Sequence, residues 1–274
     1  MIVGLIGHPV AHSQSPRMHR AAFAAAGLSG WDYELWDTPA EALAARLDAV
    51  KQRADIAGGN VTVPHKQAVL PFLDEVTADA RAIGAVNTLF KRASRLWGDN
   101  TDWVGFLADL DFHGVLVGAG TWALVLGAGG AARAVIYALR MRGARVWVYN
   151  RAPERARALV ASFGDAQCEA VESLAAPACQ MATLVVNCTS AGMWPDVDDT
   201  PWPETLPFPS QAVLYDLVYR PAVTTLMRQA RAAGARAIGG AGMLAEQGAA
   251  AFERWTGVPA ARVSAIMRNV LTDA

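Results

Sequence analysis

Short apolar runs of strand length alternate along most of the chain with stretches whose apolar residues recur at helical spacing. The first run covers residues 2–7. Pro16 then suits the first turn of a helix reaching about Ala26, with Ser15 as its expected N-cap. A second strand is expected over 31–36, an amphipathic helix over 39–51 behind a Thr38 cap, and a third strand over 56–63. Thr77 begins another helix. The run 85–90, the basic turn 91–95 and the stretch 97–102 predict a hairpin at one sheet edge, and Asp102 opens a helix to about Asp111.

The second half repeats the alternation. Residues 123–126 lead directly into Gly127-x-Gly129-x-x-Ala132, an Ala-rich helical pattern follows to about Arg142, and a second apolar run covers 146–149. This is a βαβ unit of about 30 residues. A helix from Pro153, a strand over 183–187, a loop over 188–209 with five prolines and a strand over 212–217 come next. A helix over 221–233, a short strand near 236–238 and terminal helices over 243–255 and 258–271 complete the pattern. Strands alternating with helices predict an α/β fold whose sheets are parallel or mixed and covered on both faces.

Composition narrows the reading. The chain has 274 residues, enough for two modest domains, and Lys+Arg 24 against Asp+Glu 25 gives no electrostatic case for nucleic acid or an anionic membrane as partner. Cys168, Cys179 and Cys188 are odd in number and lack a C-x-x-C spacing, so neither a disulfide framework nor a zinc site is expected, no metal is expected, and a reducing cytoplasm is the natural setting. The uncharged stretch 114–132 approaches membrane-spanning length, but its six glycines suit a loop, a strand and a turn rather than a spanning helix. The first residues lack the basic segment of a secretory signal and look like a first strand.

The glycine motif has a physical reason at each position. Gly127 permits the tight turn, Gly129 lets the backbone approach a pyrophosphate, and the small Ala132 lets the helix lie close to the strand while its N-terminal amides face the phosphates. An NAD site would place Asp or Glu about 20 residues further on. This chain has Asn150-Arg151, with Arg155 one helical turn beyond, a cationic setting that suits the 2′-phosphate of NADP. Outside that unit, loops after strands collect short polar residues: Ser13 and Ser15, Asn60 and Thr62, Asn87, Asn100 with Asp102, and Gln247 on a late helix. Such loops converge at the carboxyl ends of strands and suit a small polyhydroxylated ligand. Lys66 and Asp102 offer a proton-transfer pair of the kind a nicotinamide-dependent dehydrogenase needs, with either member open as the base.

These residues resemble the shikimate dehydrogenase family over nearly the whole chain. The matching motifs are Gly7-x-Pro9-x-x-His12-Ser13-x-Ser15-Pro16, Asn60-Val61-Thr62-Val63-Pro64-x-Lys66, Gly84-Ala85-Val86-Asn87-Thr88, Gly98-Asp99-Asn100-Thr101-Asp102, Gly127-x-Gly129-Gly130, Asn150-Arg151, Asn187-x-Thr189-Ser190 and Gly242-Met243-Leu244-x-x-Gln247. The resemblance implies two domains: an N-terminal α/β substrate domain over 1–101 with a mainly parallel sheet, completed by C-terminal helices over 239–274, and a Rossmann-type doubly wound NADP-binding domain over 102–238. It implies reversible NADPH-dependent reduction of 3-dehydroshikimate to shikimate, a step of the chorismate pathway towards aromatic amino acids, in a cytoplasmic monomer or homodimer. Lys66 and Asp102 then resemble the catalytic pair, and Ser13, Ser15, Asn60, Thr62, Asn87 and Gln247 the substrate contacts, with Tyr219 nearby. Gly127, Ala128, Gly129, Gly130 and Ala131 resemble the pyrophosphate turn, and Asn150, Arg151 and Arg155 the adenosine-phosphate site. Thr189, Gly242 and Leu217 would lie along the cofactor near its nicotinamide. The sequence departs from the family pattern at Ala152 (commonly Thr), Trp103 (frequently Gly) and Gly239 (often Asp). A quinate or amino-shikimate dehydrogenase, or a non-catalytic NADP-binding regulator, remain the alternative readings.

Overall fold

The computed structural model describes residues 1–164 and 166–272. In chain order the elements are β1 (Ile2–Gly7), α1 (Ser15–Ala25), β2 (Asp32–Asp37), α2 (Leu43–Gln52), β3 (Ile56–Val61), β4 (Glu75–Val76), α3 (Ala78–Ile83), β5 (Thr88–Arg92), β6 (Arg95–Asp99) and α4 (Asp102–Phe112). They continue with β7 (Trp122–Leu126), α5 (Gly130–Met141), β8 (Arg145–Tyr149), α6 (Pro153–Phe163), β9 (Cys168–Val171), α7 (Pro177–Gln180), β10 (Leu184–Asn187), β11 (Val213–Asp216), α8 (Thr225–Ala232), β12 (Arg236–Gly239), α9 (Ala241–Thr256) and α10 (Ser264–Thr272). The chain forms two compact units, Met1–Ala108 with Gly242–Ala274, and Asp109–Ala241. The fold is thus α/β with two sheets, as the alternation of periods predicts.

The sheet of the first unit has the order β2-β1-β3-β5-β6-β4. Strands β2, β1 and β3 run parallel, β5 reverses against β3, and β6 reverses again against β5. Two reversals place the ends of β1, β2, β3 and β6 and the start of β5 at one end of the sheet, because Asn60 pairs with Thr88 and Thr88 with Asp99. Every polar loop singled out in this half therefore emerges on the same side. The β5–β6 turn is built by Ala93 and Ser94, both with positive φ, the conformation that matches strand twist in a two-residue hairpin. The hairpin does not sit at the edge as expected. The two-residue β4, too short to leave a period in the sequence, pairs with β6 and takes that place.

Several expected helix starts are corrected. Ser15 does not cap α1 but is its first residue, because its backbone N–H is taken by Ser13 Oγ at 3.2 Å and Gln14 stands at the cap position without a side-chain bond. The Thr38 hydroxyl donates back to the Trp36 carbonyl at 2.7 Å, so 39–51 is not one helix: a 3₁₀ turn over Ala40–Ala42 precedes α2. Helix α8 begins at Thr225 rather than at Pro221, since Thr224 supplies the cap by accepting from the Met227 N–H at 3.1 Å. The expected last helix is split into a 3₁₀ turn over Ala260–Arg262 and the helix α10. Thr77 does cap α3, accepting from the Ala80 N–H at 3.4 Å.

Alternation along the strands sends Val3, Leu5 and Tyr33 to one face of this sheet and Ile6 and Trp36 to the other. The first face is covered by Met18, Phe23, Phe252, Trp255 and Met267 of α1, α9 and α10, the second by Leu43, Leu47 and Val50 of α2. His19 is buried in the first layer with 0% exposure, its ring stacked flat on Tyr33 at 4.5 Å and tilted to Trp255 at 5.3 Å. Among the described residues neither ring nitrogen has a hydrogen-bond partner.

The second sheet is wholly parallel, in the order β12-β11-β10-β7-β8-β9. The chain leaves β7 in one direction through β8 and β9 and in the other through β10, β11 and β12, so the doubly wound switch point lies between β7 and β10. Ala123, Leu124, Val125 and Leu126 are each 0% exposed, which explains why β7 reads as a continuous apolar run rather than an alternating one.

Burial of His19 has a stability consequence. Desolvation pushes its pKa from 6.5 down to about 3, so the folded chain keeps the ring neutral while the unfolded chain protonates it below about pH 6.5. The depressed value means stability is fully present above pH 6.5 and is lost as pH falls towards 3, by up to about 1.4 kcal/mol per pH unit from this group. In thermal unfolding between pH 7 and about pH 4.5, His19→Phe is expected to show a distinctly shallower fall in Tm than the wild type; equal slopes would refute the assignment.

Candidate active site

The loop after β3 carries Lys66 and is lashed down on three sides. The His65 N–H bonds the Thr62 carbonyl at 2.8 Å, the buried His65 Nε2 bonds the Thr38 carbonyl at 2.6 Å, and the Val86 N–H bonds the Lys66 carbonyl at 2.7 Å. Asp102 is the first residue of α4, where the positive end of the helix favours a carboxylate. Its N–H is held by Asn100 Oδ1 at 3.1 Å, and Asn100 in turn donates to the Ala85 carbonyl at 2.9 Å. Lys66 Nζ donates to Asp102 Oδ2 at 2.6 Å, with the side chains only 15% and 6% exposed.

Asn87 binds this pair to the rest of the site. Its Oδ1 accepts from the Thr101 N–H at 2.7 Å and from the Thr88 hydroxyl at 2.9 Å. A backbone N–H can only donate, so the amide oxygen is fixed there and the NH₂ group must face the other way. It donates to Asp102 Oδ1 at 2.8 Å, Thr101 Oγ1 at 3.0 Å and Gln247 Oε1 at 3.1 Å. Asp102 Oδ1 therefore acts as an acceptor, while Oδ2 meets Lys66 Nζ. Gln247 reaches this position from α9 because α4 approaches closely at Gly105, where a Cβ would lie 2.6 Å from the Gln247 nitrogen and 2.7 Å from its Cβ.

Asn60 is buried at the end of β3; its Oδ1 accepts from the Tyr33 hydroxyl at 2.8 Å and its Nδ2 donates to the Asn87 carbonyl at 3.2 Å and Thr88 Oγ1 at 3.3 Å. Ser13 and Ser15 bond each other, Oγ to Oγ, at 3.1 Å. Thr62 lies over Gly7, which has no room for a side chain: a Cβ there would stand 2.3 Å from Thr62 Cγ2. Lys66, Asp102, Asn87, Gln247 and Asn60 thus form one hydrogen-bonded set, with Ser13, Ser15 and Thr62 on loops at the same sheet end. Sequence reasoning did not single out Thr88, Thr101, Tyr33 or Gly105 for a role. The two threonines lie inside matched motifs, whereas Tyr33 reads only as a strand residue and Gly105 only as a poor helix former.

In the second unit, Gly127 ends β7 with φ +105°, and a Cβ there would come within 3.1 Å of Thr189 Cγ2 and 3.2 Å of the Cys188 carbonyl carbon. The glycine turn and Thr189 therefore meet at the switch point. Gly129 differs: its φ is −92° and a Cβ would meet nothing within 4 Å, so neither backbone strain nor crowding inside the chain demands a glycine before α5. Gly130 and Ala131 open the 12-residue α5, whose first turn holds no acidic residue. Thr189 donates to Asn187 Oδ1 at 2.7 Å, and Asn187 donates to Asp216 Oδ1 at 2.9 Å. Burial pushes the Asp216 carboxyl above its usual range, opposed by bonds from Thr224, the Val218 N–H and Asn187. After β8, Asn150 Nδ2 closes the turn onto the Ala152 carbonyl at 3.0 Å, leaving Arg151 and Arg155 exposed. Leu217 and Tyr219 follow β11 half-buried, and Gly242 is buried in the first turn of α9.

Among the described residues no group of three or more His, Cys, Asp or Glu is arranged to hold a metal ion, and no helix is long and apolar enough to cross a membrane. A doubly wound parallel unit with a glycine turn at its switch point, joined in one chain to a unit bearing a half-buried lysine on a buried aspartate, defines a dinucleotide-dependent oxidoreductase. Three family descriptions match the chain: the shikimate dehydrogenase substrate binding domain over residues 5–89, shikimate / quinate 5-dehydrogenase over 115–194, and the shikimate 5′-dehydrogenase C-terminal domain over 240–271. Proteins named shikimate dehydrogenase (NADP(+)) from Thermus thermophilus and Symbiobacterium thermophilum are 47% and 46% identical, each over 93% of this chain and over 92% and 89% of their own lengths. A crystal structure of shikimate 5-dehydrogenase from Thermus thermophilus in complex with NADP(H) and shikimate superposes with TM-score 0.87 at 44% identity, covering 98% of this chain and 99% of that one. Quinate dehydrogenase from Corynebacterium glutamicum in complex with NAD gives TM-score 0.86 at 32% identity, covering 100% and 99%. The chain belongs to the shikimate dehydrogenase family.

The two glycines respond to different constraints and separate in a thermal melt. Gly105→Ala is expected to lower Tm by several degrees, matching an overpacking cost of about 1–3 kcal/mol. Gly129→Ala is expected to lower Tm by less than Gly105→Ala, since the site has room and only the N-cap preference for glycine over alanine is lost. The reverse order would refute the reading of both positions.

Proposed function

We propose that the protein is an NADP-dependent shikimate dehydrogenase that reversibly reduces 3-dehydroshikimate to shikimate, a small-molecule enzyme of the cytoplasm, the setting that three free cysteines fit. The observation that carries the proposal is the pair of half-buried Lys66 and buried Asp102, 2.6 Å apart and tied to Asn87 and Gln247. The first unit takes the substrate and the second the dinucleotide.

Lys66 is the proton donor in the reducing direction and the acceptor in the oxidising one. Both Asp102 oxygens already accept hydrogen bonds, from Lys66 and Asn87, so the carboxylate holds the ammonium in place and compensates its charge, while the remaining Lys66 protons are available to a substrate oxygen. Asn60, Asn87 and Gln247 supply amide groups, and Ser13, Ser15 and Thr62 hydroxyls, for the substrate's carboxylate and hydroxyls. When bound, NADPH supplies the hydride. The residues present fit that cofactor: the open space at Gly129 admits a pyrophosphate against the amides of Gly130 and Ala131, and Arg151 with Arg155 offers two exposed guanidiniums to the 2′-phosphate. Ala152 stands at the cap of α6 without a side-chain bond, so the phosphate site rests on the arginines and not on a hydroxyl at that position.

Two outcomes test this. Initial rates with shikimate and quinate, each with NADP and NAD, are expected to give the highest kcat/KM for shikimate with NADP; a preference for quinate or for NAD would move the protein to a paralogous role. Lys66→Ala is expected to lower kcat by about a hundredfold or more while NADPH still binds, and an unchanged kcat would remove Lys66 from the chemistry.

A further inference from the structure

Tyr33 lies on β2, two strands away from Asn60 on β3, and belongs to no motif of the site. Its ring crosses the face of β1 between them, and its hydroxyl reaches Asn60 Oδ1 at 2.8 Å. The direction of that bond is determined by the far side of the amide. Asn60 faces the Asn87 carbonyl at 3.2 Å, and a carbonyl only accepts, so the NH₂ group must point there and the oxygen towards Tyr33. The phenol is then the donor.

From this geometry we infer that Tyr33 is a positioning residue for substrate binding: its hydroxyl commits the Asn60 amide oxygen, so that the NH₂ group, held only by the long bonds to the Asn87 carbonyl and Thr88 Oγ1, is the part of the amide that a substrate oxygen can draw on. The inference rests on the proposed reading of Asn60 as a substrate contact. The bonds on the NH₂ side are long, 3.2 and 3.3 Å, and the Asn87 carbonyl is already engaged by the Val61 N–H at 2.8 Å. Those two acceptors hold the amide weakly, and the Tyr33 bond is the short one. The ring that delivers it cannot swing away. Tyr33 is 0% exposed, stacked flat against His19 at 4.5 Å and 2°, and flanked at 6.3 Å by Trp255, whose indole N–H is fixed on the Leu89 carbonyl at 2.8 Å. A neutral His19 serves here as a flat ring rather than as a charge. The arrangement selects acceptor atoms on the substrate, a hydroxyl or carboxylate oxygen, at the Asn60 position.

The test is a double-mutant cycle on the full chain with Tyr33→Phe, Asn60→Ala and the pair, reading KM for shikimate, kcat, NADPH affinity and Tm. Phenylalanine keeps the ring and its stack, so the fold is expected to persist. Tyr33→Phe is expected to raise KM for shikimate about tenfold, with kcat within about twofold and NADPH affinity unchanged, and to have no further effect in the Asn60→Ala background. If Asn60→Ala leaves KM unchanged, the reading of Asn60 as a substrate contact fails. If Asn60→Ala raises KM and Tyr33→Phe does not, or if the Tyr33→Phe effect survives undiminished without Asn60, the positioning role fails while the contact stands.

Discussion

The bond from the Thr101 N–H to Asn87 Oδ1 decides the chemistry of the whole polar set. An asparagine amide has two faces of opposite character, and a single obligatory donor on its oxygen removes the ambiguity. With the oxygen committed, the NH₂ group turns to Asp102 and Gln247, and Asp102 becomes an acceptor at Oδ1. Its other oxygen faces Lys66 Nζ at 2.6 Å. One contact between the residue before β5 and the residue before α4 thereby orients the amide that holds Asp102 beside Lys66.

That pair is poor evidence for stability and good evidence for function. Moving two ions out of water costs several kcal/mol each, and their attraction in a dry interior only about repays it. A lysine with a side chain 15% exposed and an aspartate 6% exposed are therefore costly merely to join two loops. The fold offsets that cost with added bonds: Asn87 on the carboxylate, Asn100 on the aspartate N–H, and the His65 and Val86 bonds that stiffen the lysine loop. Such support is needed where a proton must pass at a fixed point, since catalytic gain depends on geometry held in advance.

Much of this was legible in the sequence because it lies in signals of short range. The buried run of β7 and its glycine turn need only neighbouring residues to be read, and the polar loops after β1, β3 and β6 announce themselves by composition. What was not legible depends on partners distant in the chain. Ser15 looks like a cap until Ser13 is seen to take its N–H, and Thr38 looks like one until its hydroxyl is found on the Trp36 carbonyl. The edge strand β4 has two residues and so no period at all. Tyr33 and Gly105 act through Asn60, 27 positions away, and through Gln247 on a helix of the far C-terminal segment, and no local pattern encodes either contact.

Glycine shows most clearly how the same residue type answers to different physics. At Gly105 the chain itself is the obstacle: the backbone of α9 stands where a methyl group would go, so glycine is required for Gln247 to reach Asn87 at all. At Gly127 both the positive φ and the closeness of Thr189 enforce it. At Gly129 neither holds, for the backbone is extended and the space in front is open. Gly129 stands at the N-cap of α5, where glycine is tolerated without a side-chain cap, and its open position at a topological switch point fits the pyrophosphate contact proposed for it. The sequence motif marks all such positions alike; only the surrounding atoms separate a glycine that the packing of the chain enforces from one that it does not.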